Sequence, residues 1–208
     1  FSYAYLSLDT GTGALILFGS VQLTMLLIGI FTGNRLHYSE WTGVLLAFFG
    51  FVYLVIPSLS TPSLMGFVLM SIAGIAWAFY TLKGRGSKHP MNDTAYNFLR
   101  TLPFIITLLA FTIQDAQLTT QGIMFAVLSG ALASGIGYTI WYMALNGLSV
   151  TQAAVVQLLV PIIAALGGVI FAGEVISSRL IMASFMVLGG ILIVVLGRYY
   201  VVSGAEEN

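Results

Sequence analysis

Seven apolar stretches, each close to the length that crosses a bilayer and nearly free of charge, divide the chain: residues 13–31, 41–57, 63–82, 95–113, 121–145, 150–172 and 179–197. About 20 mostly apolar residues in a helix cover roughly 30 Å of hydrocarbon. The runs are continuous rather than alternating, so helices, not the strands of a barrel, are the structure they encode. Connections between them are short and rich in Gly, Pro, Ser, Thr and Asn, as turns between packed helices require. The expected fold is an all-α integral membrane bundle, with Phe1–Leu8 reading as the tail of an earlier span. Charged residues make up only 7% of the chain, where a water-facing surface needs about 25%. Lys+Arg and Asp+Glu balance at seven each, leaving no basic excess for nucleic acid, and the absence of Cys excludes disulfides and thiolate metal sites.

Charge placement orients the bundle. If the spans alternate, Arg35, Lys83, Arg85, Lys88, Arg100 and Arg198 fall on one side and only Arg179 on the other. The excess of Lys and Arg marks the first side as cytoplasmic, which puts the C-terminus inside.

Sliding the chain by 140 residues aligns 4–56 with 144–196 without a gap. Nine positions are then identical: Ala4/Ala144, Leu8/Leu148, Ala14/Ala154, Leu26/Leu166, Ile30/Ile170, Phe31/Phe171, Gly33/Gly173, Gly50/Gly190 and Val55/Val195. The helix breaks coincide as well, with Phe31-Thr32-Gly33-Asn34 opposite Phe171-Ala172-Gly173-Glu174. Residues 13–31 run toward the cytoplasm and their counterpart 150–172 away from it. Repeats of opposite orientation need an odd number of spans, and the stretch from 63 to 197 holds five. Extending the repeat backward places its start about 75–80 residues before Phe1, for ten spans in all.

The residues from 121 to 197 resemble a known family. Trp141-Tyr142-Met143-Ala144-Leu145, Ala153-Ala154, Gln157, Pro161, Gly173-Glu174 and Gly189-Gly190 are similar to an EamA repeat of the drug/metabolite transporter superfamily. On that resemblance, 1–57 is the C-terminal part of a first repeat, 63–198 a second repeat, and 199–208 a short cytoplasmic tail. Where the family often has Gly-Glu in its first repeat, this chain has Gly33-Asn34-Arg35, and residues 13–31 lack a counterpart of Pro161. Any role for that first-repeat Glu is absent here. The resemblance implies ten helices, a central cavity, export of small metabolites such as amino acids, and a bacterial inner membrane.

Several polar and aromatic residues inside the spans are candidates for the cavity. Pro161 has no N–H, so the carbonyl of Gln157, four residues earlier on the same face, loses its helical partner. Two readings fit: a hinge at Pro161 with Gln157 lining the cavity, or a static kink with Gln157 bonded to a neighbouring helix. Gln22, mid-span, either faces the same cavity or ties helices together. Trp77 and Tyr80, with Tyr138, Trp141 and Tyr142, cluster toward the cytoplasmic half and fit either a binding wall or an interfacial aromatic belt. The belt is favoured for Trp141 and Tyr142, the cavity for the deeper Tyr138. Arg100 either snorkels to the surface or points inward beside Asn97 as a carboxylate contact. Glu174 is expected to accept hydrogen bonds at the turn before the last span. Gly130/Ser134, Ala133/Gly137, Gly74/Ala78 and Ala164/Gly167/Gly168 permit close helix approach. Lys83-Gly-Arg-Gly-Ser-Lys is a turn and not a phosphate loop.

Three function classes compete. A secondary transporter working by alternating access around a midplane cavity fits the inverted repeat. An integral-membrane transferase would need clustered acids or His, whereas Asp9, Asp93 and Asp115 lie at span ends and His37 and His89 in loops. An enzyme is therefore not expected, and a channel or scaffold is disfavoured by the repeat. Apart from Arg100, no ionisable side chain lies well inside a span, so the expected solute is small and neutral or zwitterionic. The other expected partner is the lipid bilayer, with no nucleic acid, cofactor or metal, and no oligomeric state follows from the sequence. Without an embedded carboxylate, uniport or exchange fits as well as proton coupling.

Overall fold

The computed structural model describes residues 3–33, 36–59, 61–113, 118–173 and 175–206. Every extended element among them is helical: α1 Thr10–Phe31, α2 Tyr38–Val55, α3 Leu64–Gly84, α4 Pro90–Thr112, α5 Thr120–Val127, α6 Gly137–Leu145, α7 Val150–Val156, α8 Leu159–Ala172 and α9 Ser178–Glu206. A π-helical stretch, Leu128–Ile136, runs on from α5 into α6, so the three form one membrane-length rod. Among the described residues, seven segments are long and apolar enough to span a bilayer. Residues 3–8 carry a single 3-10 turn, Ala4–Leu6, and a second, Ile56–Ser58, follows α2. Helix α9 continues to Glu206, into the residues read from sequence as a tail.

The helix ends are built from local hydrogen bonds. Thr32 returns its hydroxyl to the carbonyls of Ile28 (2.8 Å) and Gly29 (3.0 Å), and Gly33 then turns the chain at φ 82°. At the start of α2, Glu40 accepts the backbone N–H of His37 at 3.0 Å, and His37 Nδ1 accepts that of Ser39 at 3.4 Å. Ser149 begins α7 with a reciprocal pair: Gln152 N–H donates to Ser149 Oγ at 3.2 Å and Ser149 N–H to Gln152 Oε1 at 2.9 Å. Ser149→Ala is expected to destabilise the chain by about 1 kcal/mol, read as a lower midpoint in detergent unfolding. Ser177 Oγ accepts Leu180 N–H at 3.1 Å and caps α9. Glu174, expected at this turn, and Arg35, used to orient the bundle, lie outside the described residues.

The chain divides into two units, Phe1–Leu82 with Leu148–Asn208, and Lys83–Gly147. In the first, α2 and α9 meet along glycines. A methyl built on Gly43 would lie 2.5 Å from the Gly190 carbonyl oxygen. One on Gly190 would meet the Gly43 carbonyl and lie 2.6 Å from Ala47 N. One on Gly50 would lie 3.1 Å from both the Ala183 oxygen and Val187 Cγ2. Shifting each residue by 140 turns the Gly43–Gly190 approach into Ala183–Gly50, and Ala47–Gly190 into Val187–Gly50. Around this seam, Val44, Ala47, Phe51 and Val55 pack with Val155, Leu158 and Ile162 and with Ala183, Val187 and Val194. Phe51 receives Phe18 edge-on, ring centres 5.7 Å apart.

Helix α3 lies on α1 in parallel register. Gly66 sits against Ser7 and Leu8, and Gly74 against the Leu17 carbonyl and Ser20, where a methyl would come within 2.6 and 2.7 Å. Gly74 thus acts as the close-approach position expected of it, and Ala78 behind it is fully buried. Leu17 and Met70 close this contact with Ala4 and Leu8.

The second unit packs α4 on α6. Phe98 stacks on Tyr138 with ring centres 6.1 Å apart, and Asn97 Nδ2 donates to the Tyr142 hydroxyl at 3.2 Å. Tyr142 is buried and its ring covers Gly84, so it is not the belt residue the sequence favours. Trp141 is half-buried, with its indole N–H unpartnered among the described residues. Asn146 fixes the turn after α3, accepting Gly86 N–H at 2.8 Å and donating to the Ser87 carbonyl at 3.0 Å. Gly130 and Gly137 support no close approach among the described residues, since a methyl on either would meet nothing within 4 Å. Apolar side chains such as Phe104 and Phe111 of α4 stay exposed, as lipid-facing residues do.

Candidate functional site

The break between α7 and α8 organises a polar cluster in the first unit. Pro161 supplies no N–H, and the helix tightens ahead of it: Leu158 N–H donates to the Val155 carbonyl at 3.0 Å and Val160 N–H to the Gln157 carbonyl at 3.1 Å. The Gln157 carbonyl, expected to be freed, is therefore satisfied by a 3-10 bond. The Gln157 side chain then completes the break, its Nε2 donating to the Ala153 carbonyl at 3.0 Å. The discontinuity falls at Gln157 and Leu158, with Pro161 half-buried inside α8.

Gln157 also reaches two other helices. Its Oε1 accepts the indole N–H of Trp77 on α3 at 2.6 Å, and its Nε2 contacts Met25 Sδ on α1 at 3.4 Å. Only 4% of Gln157 is exposed. Of the two readings open in the sequence, the geometry has Gln157 bonded to its neighbours.

Gln22 lies one turn before Met25, the methionine Gln157 contacts, on the same face of α1. It is also 4% exposed, yet neither Oε1 nor Nε2 has a partner among the described residues. Four residues beyond Trp77 on α3, Thr81 is fully buried with its hydroxyl likewise unpartnered. Polar groups at membrane depth without partners are costly, so each calls for an explanation. No side chain of this cluster carries a charge. It offers amide and hydroxyl donors and acceptors beside an indole and a thioether.

The remaining expected residues divide. Tyr80 is half-buried on α3, one turn from Trp77. Tyr138 and Asn97 belong to the second unit, in the pairs described above. Arg100 is exposed on α4, and Asn97 donates to Tyr142. Met25 and Thr81 were not foreseen. Their spacing from Gln22 and Trp77, three and four residues, is the signal that could have found them. Among the described residues, no three His, Asp or Glu converge.

Known proteins are similar to this chain in sequence or in fold. The EamA-like transporter family matches residues 64–196. An uncharacterized protein of Pseudomonas aeruginosa is 49% identical over 95% of this chain and 69% of its own length. An uncharacterized transporter of Archaeoglobus fulgidus is 27% identical, over 92% and 70%. A probable amino-acid metabolite efflux pump of Escherichia coli is 25% identical, over 91% and 69%. A solved crystal structure superposes with a TM-score of 0.70 at 18% identity, covering 93% of this chain and 69% of that one, and has the same fold. The chain belongs to the EamA-like transporter family and is an integral membrane transporter.

Proposed function

We propose that the protein moves small neutral or zwitterionic solutes such as amino acids across a bacterial inner membrane, outward, by alternating access around the cluster of Gln22, Trp77 and Gln157. The observation that carries this reading is the buried carboxamide of Gln22, without a hydrogen-bond partner among the described residues and one turn along α1 from the Met25 that Gln157 contacts. An uncharged pair of amides suits a solute without net charge, since a strongly charged one would need opposite charge at this depth. The likeness to the E. coli probable amino-acid metabolite efflux pump supports the solute class and the direction.

The repeats enter the proposal too. Residues 1–57 and 63–198 are read as parts of two inverted repeats, with 199–208 at the cytoplasmic side. The contacts that exchange between α2 and α9 under the 140-residue offset support this reading. Repeats so related give two access states by moving one half against the other. Pro161, just inside α8, then acts as the hinge by keeping the helix broken at Gln157 and Leu158.

Proteoliposomes test the reading. Preloaded with an unlabelled neutral amino acid, they are expected to accumulate its labelled form by counterflow. Folded protein that gives no counterflow with any neutral amino acid removes the solute class proposed here.

A further inference from the structure

We propose that the Trp77–Gln157 hydrogen bond is a latch that the solute opens: an N–H donor of the solute, such as an ammonium, takes Gln157 Oε1 from the indole, while Gln22 holds the solute's other polar end. The proposal rests on the reading of this cluster as the solute site, and adds which bond binding breaks. An indole N–H donates and cannot accept. A ligand therefore replaces it on Gln157 Oε1 only by bringing a donor of its own, which a carboxylate or an ether lacks.

The latch is joined to the helix break. The same carboxamide holds the Ala153 carbonyl through Nε2 at 3.0 Å, so drawing Gln157 toward a solute loosens the cap on the last turn of α7. The break then gains freedom to bend. Because Trp77 belongs to α3, opening the bond also removes one tie between α3 and the end of α7. Solute binding and release of the hinge become one event, favoured because the solute bonds only the opened arrangement. Gln22 takes no part in holding the latch. Its two amide atoms, without partners among the described residues and on a residue one turn from Met25, receive the solute's remaining polar group.

The test uses the full chain in liposomes with Trp41 and Trp141 replaced by Phe, so that the emission of this chain comes from Trp77. A neutral amino acid that supports counterflow is expected to shift that emission. Its N,N,N-trimethyl form, with the same formal charges and no N–H, is expected to leave it unchanged. Trp77→Phe removes the competing donor and is expected to lower the half-saturating concentration for counterflow several-fold, where a purely structural tryptophan would change only rate and stability. Emission that stays fixed at saturation with a transported solute, or an unchanged half-saturation in Trp77→Phe, overturns the latch. Should no neutral amino acid counterflow, the proposed solute class fails, and the latch is still decided by Gln157→Leu in the single-tryptophan background. A released indole shifts its emission and becomes more open to a soluble quencher, whereas an identical spectrum overturns the proposal.

Discussion

Gln22→Leu is expected to yield a chain at least as stable as the parent that no longer carries solute. The parent buries an amide whose two polar atoms have no partner among the described residues. Each such group costs about 1–3 kcal/mol, and an apolar residue of similar volume removes the cost. Detergent unfolding should therefore move upward by about 1–2 kcal/mol. Counterflow should fall about tenfold or more, the equivalent of about 1.4 kcal/mol of lost binding. Stability gained as function is lost is the signature of a residue kept for a ligand, since packing alone would make the two fall together. A stabilised variant that transports like the parent would remove Gln22 from the site.

Gly190→Ala is expected to be among the most damaging single-methyl additions in the first unit. The new carbon would lie 2.6 Å from Ala47 N and 2.8 Å from Ala47 Cβ, besides meeting the Gly43 carbonyl. These are mainly backbone atoms of a facing helix, so the clash is relieved only by separating α2 from α9. Overpacking of this kind costs about 1–3 kcal/mol, and the unfolding midpoint should drop accordingly. Gly167→Ala is the control: a methyl there meets nothing within 4 Å among the described residues, and Ala in a helix gains about 0.5–1 kcal/mol over Gly. Gly43→Ala combined with Gly190→Ala should cost less than the sum of the two, because the first substitution has already moved the helices apart. Strict additivity would show that the glycines do not share one contact.

Hydropathy located all seven spans because apolar length is what both the bilayer and the helix demand. Where the first turn of a helix is polar, its edge was hidden. The fourth span, read from 95, begins at Pro90, since Asn92, Asp93 and Thr94 dilute the apolar signal. The bend before Pro161 was legible, because a missing N–H is a covalent fact. That Gln157 would cap the broken turn with its own side chain and accept a bond from Trp77, 80 residues away in sequence, was not. Such a pairing depends on which helices become neighbours.

The π-helical stretch at Leu128–Ile136 was invisible for a related reason. Its Gly, Ala and Ser residues fit α- and π-geometry equally in composition. Small residues four apart point to Gly74 but not to Gly43 and Gly50, which lie seven apart and meet α9 two turns from each other. The burial of Tyr142 was missed because its average preference for the interface says nothing about Asn97 waiting to bond its hydroxyl.

The seam between α2 and α9 has the form of an isologous contact, the kind two identical subunits make across a two-fold axis. Carried within one polypeptide, it assembles at a fixed effective concentration and does not depend on how crowded the bilayer is. It also escapes a constraint that binds every homodimer, which must place the same residue on both sides of its axis. Here Gly43 answers to Ala183 and Ala47 to Val187, so one flank can be tightened while the other keeps its backbone approach.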